Sequence, residues 1–263
     1  MRAAAGGAIW GGMCGRYVLQ SDPDALARYF DTANPVPNFA PARNVAPTMD
    51  RPVVRRNPEG GARSLDLLRW GLVPRWAKDA TGAARMINAR SEGVAEKPSF
   101  REAFARRRCL VPADAFYEWR EDGTETKQPY AVALRSGAPM ALAGLWEGWK
   151  DPATGEWLRT YTVVTTDANA KMRALHHRMP VLLAREDWPA WLGEDEGRAS
   201  RDDLLGLLRP CPEDWLAAWP VGKRVNKVRE DDAGVLDRAE GVAPLEGLDD
   251  PSPFAARAAP APA

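Results

Sequence analysis

The chain has 263 residues, 45% of them hydrophobic, with 36 basic and 36 acidic side chains, enough for one large domain or two small ones around a sizeable core. No run approaches the roughly 18 consecutive apolar residues of a membrane-spanning helix, and a formal net charge of zero excludes a polyanion binder that works by overall charge. The charge is unevenly placed, with 19 Lys and Arg against 12 Asp and Glu in residues 1–120 and 17 against 24 in the remainder, which fits either one polyanion-facing surface or an uneven solvated one.

In chain order, MRAAAGGAIWGG lacks the apolar core of a signal peptide and reads as a flexible extension over residues 1–12. Ser21, Asp22 and Pro23 form a helix-start signal, with Leu26, Tyr29 and Phe30 at helical spacing behind it, so a helix is expected near 22–32. The Pro- and Asn-rich stretch 34–48 is too broken for either regular element. Strands are expected at 52–56 and 65–70, joined as a hairpin around 57–61. A helix over 99–108 is followed by strands at 109–111 and 115–119 about a bend at Pro112, then strands at 130–134, 141–149 and 158–165. The rest reads as a helix at 167–175, a strand at 181–184 and short helices at 187–192 and 202–208. Residues 241–263, ending in PSPFAARAAPAPA, are expected to be a disordered Pro/Ala-rich tail. Strands in runs with irregularly interspersed helices favour an α+β fold: one domain over residues 13–240 around a largely antiparallel curved sheet.

Cys14, Cys109 and Cys211 make an odd set without CxxC spacing, which argues against a disulfide framework and for a reducing, cytoplasmic setting. Three scattered cysteines and one His pair do not supply a zinc set, so no metal or other cofactor is expected. His176 and His177 are the only histidines; they follow a helix and run into Pro180, and a helix end at a turn is a frequent place for functional groups. Glu118 lies in FYEW, an apolar strand: facing inward it suits proton transfer, facing outward it is ordinary alternation. Asn88 and Arg90 in INARSE offer an amide and a guanidinium fork suited to phosphate, or simply a turn. Trp70 and Trp76 alternate with Arg69 and Arg75 in a possible base-stacking platform, although most of the eleven tryptophans belong in a core.

Seven short segments occur together in order: MCGRYVLQ from Met13, NVAPT from Asn44, WGLVPRW from Trp70, NARSE from Asn88, FYEW from Phe116, HHRMP from His176 and VNKV from Val225. Each is unspecific alone. Together, across residues 13–228, they resemble the SRAP (SOS response-associated peptidase) family of abasic-site processing proteins. The resemblance implies a single α+β domain around a barrel-like sheet. It implies Cys14 as the covalent residue, with Asn88, Glu118 and His176 completing the catalytic group. It further implies DNA contacts through Arg16, Asn44, Pro47 and Arg90, with Trp70 or Trp76 as a stacking or wedge residue; in some members the wedging aromatic falls one position beyond Trp76, where this chain has Ala77. The implied partner is single-stranded DNA bearing abasic sites, met by a monomer associated with the nucleoid when DNA-bound.

The family chemistry requires the cysteine at the mature N-terminus, whereas twelve residues precede Met13 here. Translation from Met13 with removal of that Met is the favoured expectation, and self-cleavage of the extension is the other route. Two rivals remain at this stage: a thiol peptidase acting in trans, and a noncatalytic single-stranded DNA binder in which Cys14 merely packs.

Overall fold

A computed structural model of the chain describes residues 15–57, 61–121, 127–195 and 198–254. Twelve strands carry most of the architecture: β1 (Tyr17–Leu19), β2 (Ala42–Val45), β3 (Asp50–Arg56), β4 (Arg63–Trp70), β5 (Asn88–Arg90), β6 (Arg108–Ala113), β7 (Ala115–Arg120), β8 (Gln128–Leu134), β9 (Met140–Lys150), β10 (Trp157–Asp167), β11 (Arg178–Pro180) and β12 (Leu216–Pro220). The helices are short: α1 (Pro23–Phe30), α2 (Arg101–Arg106), α3 (Ala170–Arg173), α4 (Trp188–Leu192) and α5 (Arg201–Gly206). The fold is the expected α+β barrel in one domain. Strands β10, β4, β3, β6 and β9 close on themselves because β10 pairs with both β4 and β9. Closure removes the free edges of that sheet. A second sheet, in the order β12-β8-β7-β1-β2, packs beside it.

Local chemistry accounts for several boundaries. Asp22 caps α1 by accepting the Ala25 N–H, Pro23 fills the first turn, and Asp31 ends the helix in the left-handed conformation. Residues 50–56 and 63–70 pair in continuous antiparallel register, as the hairpin expectation required. Pro112 does not bend the chain; it lies inside β6 opposite Ala141. Beyond Leu110, β6 no longer pairs with β3, so the missing proline N–H falls where no ladder bond is needed. The turn falls instead at Asp114, a buried carboxylate that accepts from the Gln20 and Ser21 N–H groups and the Ser21 hydroxyl.

Other expectations require correction. The 34–48 stretch contains β2, held at Tyr17 opposite Val45. The strand expected at 181–184 lies three residues earlier as β11. The helix expected over 167–175 contracts to α3, which begins where Asn169 caps it. Residues 241–254, expected within a disordered tail, pack on the body: Leu248 joins the main core, and Phe254 meets the Trp219 ring edge-on. Residues 255–263, like residues 1–14 with the 1–12 extension, lie outside the described residues.

Candidate active site

The C-terminal half of β10 collects the candidate residues. On one side β5 runs parallel to it, with Asn88 opposite Val163 and Arg90 opposite Thr165. On the other side β11 runs antiparallel, with Arg178 opposite Asp167. Arg178 is buried and ties the two flanks together. It donates two bonds to Glu92, just beyond β5, one of them 2.9 Å, another to Asp167 at 2.7 Å and a fourth to the Thr165 carbonyl at 2.8 Å. A buried guanidinium is tolerated because its donors meet carboxylates. In return, Arg178 holds Glu92 below the usual carboxylate range.

His176 stands immediately before this clamp. Its Nδ1 accepts the Arg178 N–H at 3.0 Å, which leaves Nε2 as the nitrogen able to face a reactant, and its ring stacks on His177 with centroids 4.3 Å apart. Burial lowers its pKa, and the neighbouring His177 lowers it further. With Nδ1 accepting, the neutral ring near pH 7 carries its proton on Nε2 and presents an N–H donor there, suited to hydrogen-bonding or passing a proton to a sugar oxygen. The charges of Glu121 and Lys127, at the loop end of the β7–β8 hairpin that carries Glu118, interact electrostatically with this ring.

Glu118 resolves the alternation question. Along β7, Ala115 and Tyr117 belong to the outer apolar cluster, whereas Phe116 belongs to the main core. A period of two puts Glu118 on the Phe116 face, and its 3% exposure confirms that it is inside. The N-terminal end of the described chain arrives on the same strand. The Tyr117 N–H donates to the Arg16 carbonyl at 3.1 Å, one residue from Glu118, and Gly15 is buried there. Cys14 itself lies outside the described residues. The other two cysteines are buried; burial pushes the Cys109 thiol far above its ordinary value and the Cys211 thiol up to about 12, so neither is a ready nucleophile.

The structure redistributes the implied DNA contacts. Trp76 is 67% exposed in the turn after β4, and the Ala77 carbonyl beneath it is pinned by the Trp149 indole N–H at 2.8 Å. Trp70 is corrected to a core residue: it is fully buried, stacked on Tyr161 and edge-on to Tyr17, and its indole N–H donates to the Ile87 carbonyl. Asn44 is likewise corrected. At 1% exposure, its amide nitrogen serves the carbonyls of Val225, Lys227 and Glu230, and its oxygen accepts from Arg16. Arg16 donates onward to the carbonyls of Val225 and Asn226. These two residues therefore clamp the VNKV loop to the N-terminal end of the described residues. Pro47 is half-buried and Arg90 exposed. Sequence reasoning missed Arg178 and Thr165. Thr165 is fully buried beside Arg90, and among the described residues its hydroxyl has no hydrogen-bond partner. The place of Arg178 inside the HHRMP segment was the available signal for the first; nothing in the sequence marks the second.

The family model described as SOS response associated peptidase (SRAP) matches residues 13–228. The chain belongs to the SRAP family. This span contains all seven segments and begins at Met13, one residue before Cys14. Among named relatives of this SRAP chain, the abasic site processing protein YoaM of Bacillus subtilis is 40% identical over 227 residues, covering 86% of this chain and 98% of the relative. The abasic site processing protein HMCES of Gallus gallus is 32% identical over 222 residues, covering 73% and 65%. A crystal structure of a protein from Bacteroides thetaiotaomicron superposes with a TM-score of 0.78 at 26% identity, covering 86% of this chain and all of the other. Among the described residues no helix is long and apolar enough to cross a membrane, and no group of three or more His, Cys, Asp or Glu could hold a metal ion.

Proposed function

We propose that this SRAP protein processes abasic sites, and that its form beginning at Cys14 captures the open aldehyde of an abasic site in single-stranded DNA as a covalent thiazolidine. The observation that carries the reading is the pairing of the Arg16 carbonyl with the Tyr117 N–H of β7, which brings the chain just after Cys14 to the strand of buried Glu118; the charge of Lys127, at the loop end of the same hairpin, acts on the His176 ring. The names of the curated relatives support the lesion as substrate.

The chemistry follows from an N-terminal cysteine. An α-amine has a pKa of about 7.7–8.0, against about 10.4 for lysine, so a useful fraction is neutral at pH 7. It attacks the aldehyde carbon, and loss of one water gives an imine. The thiolate then adds to that carbon and the nitrogen takes a proton, closing a five-membered ring. Intramolecular closure draws on effective molarities of about 10⁵ M or more. Closure also removes the imine, which would otherwise acidify the adjacent carbon and invite strand scission. His176 opens the sugar ring by acid–base exchange, Glu118 moves protons during imine formation and closure, and Asn88 holds the amine or sugar oxygen. Arg90 meets a flanking phosphate, Pro47 shapes the groove, and exposed Trp76 stacks on or wedges beside a base. Arg16 and Asn44 hold the N-terminal segment in place rather than gripping DNA. The same Cys14, Glu118 and His176 carry self-removal of residues 1–13 where translation starts at Met1.

The test is to incubate protein beginning at Cys14 with a single-stranded oligonucleotide containing one abasic site and to run a denaturing gel. A slow-migrating adduct is expected, absent with Cys14→Ala and absent with uncleaved protein beginning at Met1. An adduct undiminished in Cys14→Ala sinks the proposal.

A further inference from the structure

Helix α3 has four residues, too few to persist on its own hydrogen bonds. Yet it carries the turn that presents His176, whose N–H donates to the Met172 carbonyl at 2.9 Å. Three ties hold it. Met172 is fully buried in the main core. Asn169 caps the helix through Met172 and donates to the Cys211 carbonyl at 3.0 Å. The third tie is Lys171, whose side chain is only 9% exposed and whose ammonium meets the Asp250 carboxylate at 2.5 Å.

Asp250 lies on the 241–254 strap, far along the chain from every segment of the family signature. Its carboxylate also accepts the Ala218 N–H at 2.9 Å and pairs with Arg135 at 3.0 Å, while its own N–H donates to the Ala218 carbonyl. It therefore fastens α3 to β12 and to Arg135, just beyond β8, at once. Burial alone would raise this carboxyl, but Lys171, the Ala218 N–H and Arg135 hold it below the usual range. Glu213, Asp214 and Glu246 line an open cavity beside Lys171, all solvent-exposed; among the described residues the ion pair of Lys171 is with Asp250. A nearly buried ammonium requires such a partner.

We propose that Asp250 is a positioning residue for the reaction, acting through Lys171 and α3 to hold the His176 turn in register with β10. This rests on the reading of His176 as the acid–base group. Asp250 acts on His176 only indirectly, by fixing the short helix from which His176 is hung.

The test measures single-turnover cross-linking at saturating abasic single-stranded DNA, with protein beginning at Cys14. Asp250→Asn keeps the size and removes the charge. Its rate is expected to fall roughly tenfold, within the ~10²-fold that a misplacement of about 1 Å can produce, while Kd for an undamaged oligonucleotide of equal length stays within about twofold. Asp250→Glu restores most of the rate, and the His176 imidazole resonance moves in Asp250→Asn but not in Asp250→Glu. Should Asp250→Asn fail to fold, Lys171→Met removes the same tie without stranding a charge and is expected to show the same split. Wild-type rates in both variants, or rate losses matched by equal losses in undamaged-DNA binding, overturn the inference. His176→Ala separates the two readings: slow His176→Ala beside normal Asp250→Asn and Lys171→Met removes only the positioning role, whereas normal His176→Ala removes the catalytic reading on which it stands.

Discussion

At the scale of single residues, burial divides two tryptophans that look alike in WGLVPRW. Trp76 is exposed, so Trp76→Ala is expected to weaken single-stranded DNA binding by about 1–3 kcal/mol, the usual worth of one stacked base, with little change in Tm. Trp70→Ala removes a ring packed between Tyr17 and Tyr161 and is expected to destabilise the fold by about 3–5 kcal/mol in denaturant melts. Comparing both variants in both measurements checks the assignment, and a crossed pattern would reverse it. His176 supplies a pH prediction. Burial and His177 lower its pKa, so its titration midpoint, followed by NMR, is expected below the ordinary value of about 6.5. A group whose pKa is lower folded than unfolded takes up its proton first in the unfolded chain as pH falls. His176 therefore subtracts stability from about pH 6.5 downward and is neutral in the folded site at pH 7. A midpoint above the ordinary value would remove the electrostatic basis for its role.

At the scale of elements, the site depends on short pieces that cannot stand alone, namely β5, α3 and β11, each fixed by tertiary bonds. That is also why they were hard to read. Long strands such as β9 and β10 announce themselves by apolar runs, and the β3–β4 hairpin by its two strand-like runs about a Gly-containing turn. Asn88–Arg90 looked like a polar turn because it is a strand of three residues whose order comes from pairing with β10. The Glu118 ambiguity was real in sequence, since alternation gives a face but not which face is wet; only the second apolar cluster behind β7 decides it. Gly71 marks another element-scale constraint. It has φ +117°, and a Cβ there would lie 2.5 Å from the Ala83 carbonyl oxygen. Gly71→Ala is therefore expected to shift the 71–87 loop that carries Trp76, lowering both Tm and DNA affinity. A variant with wild-type melting and binding would show that the loop tolerates the contact.

At the scale of the whole molecule, the chain is a closed barrel flanked by a second sheet, with candidate residues on the strands flanking β10 and on β7, which pairs with the N-terminal strand β1. The seven signature segments carried the family and its barrel-like fold in the sequence. Composition hid what closes the body at its C-terminal side. The Pro- and Ala-rich ending resembled a tail from residue 241 onward, yet Leu248, Asp250 and Phe254 are seated. Truncation after residue 240 is accordingly expected to lower Tm by several degrees; an unchanged melt would return residues 241–254 to the status of a dispensable tail.

Under this mechanism Cys14 reacts through both its amine and its thiol. Intact-mass spectrometry tests it most directly, on the product of protein beginning at Cys14 and an abasic single-stranded oligonucleotide, formed without reductant. One stable species is expected at the sum of the two masses less one water, with the oligonucleotide remnant mapped to the peptide beginning at Cys14. An adduct that survives only after borohydride reduction, or that maps to a lysine, would contradict it.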